Sequence, residues 1–245
     1  MNLGQYQRRM PGRSIVGGLW VDFCTYVCFV AMKTLFGFQM HGRERIPRTG
    51  PLIFVCNHQS YLDPVLNGVA VHDRSPRPMA KKELFTFKPF AWLLKSVGTI
   101  PLRGSAADKE SMRIAIAELE AGRTVLIYPE GSRSYDGAMQ PFKAGVGILL
   151  KRSSAKVVPI GMDGACDAWP RGKGFKLFRC IDCEVGEPIK MDELMADGTK
   201  PAIARLEREV DLLRIQCRNR IRNRTGGQQP SAGPADKPFV VGEQT

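Results

Sequence analysis

An imidazole and a carboxylate five positions apart, His58 and Asp63 in the run NHQSYLDP (57–64), have the types and spacing for acid–base chemistry. A neutral imidazole accepts a proton around neutral pH, and a carboxylate beside it orients the ring and stabilises the imidazolium. The two meet only if the chain turns between them, because five steps along one continuous helix set side chains about 140° apart. A second group, YPEGSRS (128–134), brings Glu130, Gly131 and Arg133 into one turn. The planar, permanently charged guanidinium matches a phosphate, and Glu130 can accept from a hydroxyl or orient an arginine. GTIPLRG (98–104) adds Arg103, and FKAG (142–145) sets Lys143 ahead of a helix start, where anions bind. Each fragment also has a purely structural explanation. Ser60-x-x-Asp63 followed by Pro64 fits a capped helix start, and Pro129 to Gly131 fits a solvated turn.

The elements that must position these groups follow from the apolar pattern. LIFVC (52–56) reads as a buried strand running straight into His58, and TVLIY (124–128) as another running into Glu130. Ligands of α/β sheets bind at the C-terminal ends of strands, so both groups belong on one rim. Helices are expected over 83–97, from Ser105 or Asp108 to Gly122, and over 144–152, with strands at TIPL, VVPIG (157–161) and LFRCIDCEV (177–185). Ile203, Leu206, Val210, Leu213, Cys217 and Ile221 recur at helical spacing, with Arg205, Arg208, Arg214, Arg218, Arg220, Arg222 and Arg224 on the other face. Short apolar strands separated by helices predict an α/β fold, with a mostly parallel central sheet flanked by helices.

The N-terminal stretch predicts a helical segment at a membrane interface. Residues 14–32 are the most apolar of the chain, yet Asp22 interrupts them and Lys33 ends them. A spanning helix needs about 20 predominantly apolar residues. On a helical wheel Asp22 and Lys33 fall within about 20° of each other, near Gly18, Thr25 and Tyr26, and leave a broad apolar face. The expected organisation is a membrane-associating segment at 1–39, a catalytic domain at 40–224 and a disordered, Gly-, Gln- and Pro-rich tail at 225–245.

Composition narrows the partners. The net charge of +12 calls for an anion, and the basic residues gather in 71–105, in 142–176 and at both chain ends. No interleaving of aromatic and basic residues favours a specific nucleic acid. Seven cysteines with a lone CxxC pair, Cys180 and Cys183, fit neither a disulfide framework nor a four-ligand zinc site. A reducing, cytosol-facing location follows, with no metal.

NHQSYLD, GTIPLRG, YPEGSRS and VVPIG, in this order and spacing, resemble the four sequence blocks of the glycerolipid acyltransferase family, which includes the lysophosphatidic acid acyltransferases. The resemblance covers residues 40–190. It implies His58 as general base with Asp63 as its partner, and Arg103, Glu130, Gly131 and Arg133 as binders of a glycerol phosphate, joined by Lys143 and Lys82. It further implies transfer of an acyl chain from acyl-CoA or acyl carrier protein to the free sn-2 hydroxyl of lysophosphatidic acid, giving phosphatidic acid. No cofactor beyond that co-substrate is expected, and the implied location is the cytoplasmic face of a membrane. After Gly161 the sequence MDGACDAWPRGKGF departs from the family pattern.

Overall fold

The computed structural model describes residues 12, 14–102 and 107–240. Its centre is a five-stranded sheet of β1 (Gln39–His41), β2 (Leu52–Cys56), β5 (Thr124–Ile127), β6 (Lys156–Asp163) and β7 (Asp182–Val185), in the order β1-β7-β6-β2-β5. Three of the four pairings are parallel and β6–β7 is antiparallel. Every residue of β2 is buried, as a central strand covered on both faces requires. Leu52, Phe54 and Cys56 join the core beneath α1 (Ile15–Phe36) and α2 (Asp63–Ala70). Ile53 and Val55 join the core beneath α4 (Ala107–Glu120), α5 (Val146–Lys151) and α8 (Thr199–Arg224). The short helices α6 (Ala165–Ala168) and α7 (Met191–Leu194) lie in connections. The expected α/β architecture is therefore present, with the β1 and β7 end of the sheet reversed.

Two segments differ from the sequence expectation for local reasons. The helix expected at 83–97 is split into a 3-10 turn, Lys82–Phe85, and α3, Lys88–Ser96. Pro89 lacks the N–H that a continuous helix needs there, and it starts α3 instead. β3 (Met79–Lys81) and β4 (Ile100–Leu102) on either side of α3 pair with each other as a separate parallel sheet. The strand expected at 177–185 begins only at Asp182, because Phe178 has φ +58° and the backbone before β7 turns to cap α1. Phe178 N–H donates to Leu35 O at 2.9 Å and Ile181 N–H to Phe36 O at 3.1 Å.

α1 is long and apolar enough, by length and composition, to cross a membrane. One side of it packs on the body: Gly18, Val21 and Phe36 are buried. Asp22 lies on the side facing the body, 3.7 Å from His72 Nε2. Val16, Leu19, Phe23, Tyr26 and Val27 are exposed. The boundary expected at residue 39 does not separate two units, since Phe36 and Phe38 lie in the central core.

The largest departure lies at the C-terminal end. Residues 225–240 are not a disordered tail, because they pack on α8 and supply acceptors to it. Arg214 and Arg218, expected on a solvated basic face, are buried. Arg214 Nη1 donates to Ala235 O at 2.7 Å, and Arg218 donates to Ser231 O and Asp236, each at 2.6 Å. Asp163, at the end of β6, lies within 3.4 Å of both guanidinium groups. α8 comes this close because β6 carries Gly161, where a Cβ would stand 2.3 Å from Arg214 N.

Candidate active site

His58 leaves the C-terminal end of β2 on a six-residue loop, 57–62, and Asp63 opens α2. That turn brings the two side chains together: His58 Nδ1 lies 2.7 Å from Asp63 Oδ2. The same oxygen accepts from Gln59 N–H at 2.6 Å and Ser60 N–H at 2.8 Å. The N-cap of α2 is Leu62 rather than Ser60, and Asp63 organises the turn before the helix with the same oxygen that meets His58. With Oδ2 serving as acceptor, Nδ1 carries the ring proton and Nε2 presents a lone pair. The imidazole stacks on Tyr128, centroids 4.2 Å apart and planes tilted 22°, and Asn67 Nδ2 donates to the Tyr128 hydroxyl at 3.1 Å. Asp63 is buried and the His58 ring partly open, a rigid pair with one reactive edge.

Asn57 and Gln59, not singled out from the sequence, hold this loop together with Ser60. Asn57 makes two 2.9 Å bonds with the backbone of Met162, fixing the end of β2 to β6. Gln59 Nε2 donates to Gly137 O at 2.6 Å, and Ser60 Oγ donates to Trp169 O at 2.8 Å. The only sequence signal for Asn57 and Gln59 is adjacency to His58.

Glu130 is joined to His58 from the neighbouring strand end. Its Oε1 accepts from His58 N–H at 2.6 Å and its Oε2 from Gln140 N–H at 3.0 Å. Both oxygens accept from backbone N–H groups and the residue is 3% exposed. Burial pushes its carboxyl up to about 8, against the two backbone N–H groups that pull it down. The folded protein therefore retains a proton that the unfolded chain, with an ordinary value of 4.5, has lost. Stability falls as pH rises from about 4.5 to about 8, by up to about 1.4 kcal/mol per unit, and levels off above. In urea titrations from pH 5 to 9 the Glu130→Gln protein should lack this slope; parallel curves for the two proteins would refute the assignment.

Arg133 completes the rim. Ser134 N–H donates to His58 O at 2.9 Å, tying the two loops together. The Arg133 guanidinium carbon lies over the Tyr61 ring, 3.3 Å from its centroid, and the buried Nη1 has no acceptor among the described residues. Gly131 has φ +71°, and a Cβ there would stand 2.5 Å from Lys143 Nζ. The absent side chain is what lets Lys143 lie across this turn. Lys82 is exposed on the turn after β3, on the small sheet rather than on the rim of the central one. Arg103 lies outside the described residues.

The model of the acyltransferase family matches residues 37–163, just over half of the 245-residue chain and all of the His58, Glu130 and Arg133 loops. The chain belongs to the acyltransferase family. This acyltransferase is 25% identical over 204 residues to a 1-acyl-sn-glycerol-3-phosphate acyltransferase of Bacillus subtilis, covering 78% of this chain and 98% of that one. It is 26% identical over 206 residues to the chloroplastic enzyme BAT2 of the same name from Brassica napus, covering 82% of this chain but only 57% of that longer protein. With the alpha enzyme of Ovis aries the identity is 30% over 179 residues, 71% of this chain and 61% of the other. The crystal structure of the 1-acyl-sn-glycerophosphate acyltransferase of Thermotoga maritima shares the fold, with a TM-score of 0.70 at 23% identity over 91% of this acyltransferase and 86% of that chain.

Proposed function

We propose that this acyltransferase moves an acyl chain from an acyl thioester, carried by coenzyme A or an acyl carrier protein, to the free sn-2 hydroxyl of lysophosphatidic acid, forming phosphatidic acid. The observation that carries this reading is a carboxylate-oriented imidazole on a loop that Ser134 N–H ties to the loop of Arg133, whose guanidinium has a hydrogen-bond donor to spare. Relatives named for the same reaction support it.

His58 Nε2 takes the proton of the sn-2 hydroxyl as that oxygen attacks the thioester carbonyl, and Asp63 stabilises the imidazolium. The tetrahedral adduct then expels the thiolate, which receives the proton from His58. Thiolate is a good leaving group, so alignment, a base and oxyanion stabilisation suffice. Arg133 holds the acceptor's phosphate in a bidentate contact, its guanidinium resting over Tyr61. α1 lies in the cytoplasmic membrane interface, its inner side on the protein and its outer side among acyl chains. This arrangement places the site where a bilayer acceptor and a cytosolic donor meet.

Purified protein incubated with a radiolabelled acyl thioester and lysophosphatidate should yield labelled phosphatidate on lipid separation; no product with either donor would overturn the reading. In Arg133→Ala, loss of a charged hydrogen bond to phosphate, worth about 1.5–3 kcal/mol, should raise KM for the acceptor roughly 10- to 100-fold and leave KM for the donor within a few-fold. Equal impairment toward both substrates would remove Arg133 from the headgroup site.

A further inference from the structure

Helix α3 and the turn before it form an apolar surface that the chemistry at His58 does not use. Leu84, Phe87, Phe90, Trp92 and Leu93 are all exposed, Phe87 by 68% and Trp92 by 63%. A helix on a water-soluble body turns its apolar side inward, and a cluster of this kind facing outward marks a contact with another apolar phase. Exposed Lys82, Lys88 and Lys95 border the cluster, with Glu83 as the single acid between residues 82 and 95.

The cluster is also continuous with the outer face of α1. Trp20 of α1 donates its Nε1–H to Ser96 Oγ at 2.8 Å, and its ring meets Trp92 edge-on at 5.8 Å and Phe23 at 5.7 Å. Phe23, Trp20 and Trp92 therefore form an unbroken aromatic path between the two helices. We propose that α3 and its preceding turn are a second membrane-inserting element, coplanar with α1, whose lysines select an anionic lipid surface. The inference rests on the reading of α1 as interfacial and extends it: the chain grips the bilayer on both sides of Trp20, which fixes its rotation about α1 as a single helix cannot. The lysine border favours an anionic lipid surface, because neutral lipid offers nothing to three ammonium groups.

The test uses the full chain with vesicles of phosphatidylglycerol or of phosphatidylcholine. Leu84→Ser with Phe87→Ser removes two exposed side chains that make no ring contact with α1, and Leu19→Ser with Val27→Ser removes two exposed side chains of α1 outside the aromatic path. Far-UV circular dichroism verifies that each variant is folded. The α3 variant should lose about tenfold or more in partitioning to phosphatidylglycerol vesicles. Lys88→Glu with Lys95→Glu should lose about fivefold per lysine on these vesicles and little on phosphatidylcholine. Normal vesicle binding by the α3 variant, with the α1 variant impaired, would overturn this inference and leave α1 as the anchor. Normal binding by both variants would overturn the interfacial reading as well. Normal vesicle binding together with a raised KM for acyl carrier protein would assign the surface to an acidic protein and reject the lipid.

Discussion

In the His58→Ala protein, acyl transfer to lysophosphatidate falls by about 10²- to 10⁴-fold in kcat, the range that general-base assistance supplies. KM for both substrates stays within a few-fold, because the ring contacts Tyr128 and Asp63 rather than building the headgroup site. Asp63→Asn separates orientation from charge. An amide oxygen in place of Oδ2 still accepts from Gln59 and Ser60 N–H, so the loop keeps its shape. The imidazolium that forms during proton transfer then has no counter-charge, and kcat falls with little change in the unfolding midpoint. Purified His58→Ala within tenfold of wild type would end the general-base assignment. An Asp63→Asn protein with normal kcat would reduce Asp63 to the residue that organises the turn.

The parts of the molecule legible in the sequence are those written in local pattern. LIFVC is apolar without alternation because β2 is covered on both faces, and the turn it enters is short enough for a reader to place His58 beside Asp63. The apolar stripe from Ile203 to Ile221 marks the buried side of α8 for the same reason. What failed is what depends on partners far away in the chain. Arg214 and Arg218 look like a solvated basic face until Asp163, more than fifty residues earlier, is brought against them by the crossing at Gly161. The fold supplies these two cations with an internal partner that the local pattern does not show. The net charge of +12 therefore overstates the positive surface available to anions.

The buried cluster at Asp163 should dominate stability. Replacing Asp163 with alanine leaves the Arg214 guanidinium, with no exposed side-chain surface, and that of Arg218, with 4%, without their shared central carboxylate. Breaking a buried ion pair from one side costs about 3–5 kcal/mol, since the remaining charge stays desolvated. Arg214 keeps Asp211 at 2.7 Å and Arg218 keeps Asp236 at 2.6 Å, so the loss belongs in that range rather than above it. Urea unfolding read by tryptophan fluorescence should show this drop with an unchanged slope. Ending the chain after Gln228 removes the remaining support from the other side, because Ser231 O, Ala235 O, Asp236 and Lys237 O are all acceptors for these two arginines. Water replaces part of that set, so a loss of about 2 kcal/mol or more is expected, at about 1.5–3 kcal/mol for each hydrogen bond to a charged group before rehydration. Combined with Asp163→Ala, the truncation should cost less than the sum of the two, because both act on the same pair of cations. A truncated protein that unfolds at the wild-type urea concentration would show that residues 229–245 add nothing to the fold, and that the polar composition of the segment had been the better guide.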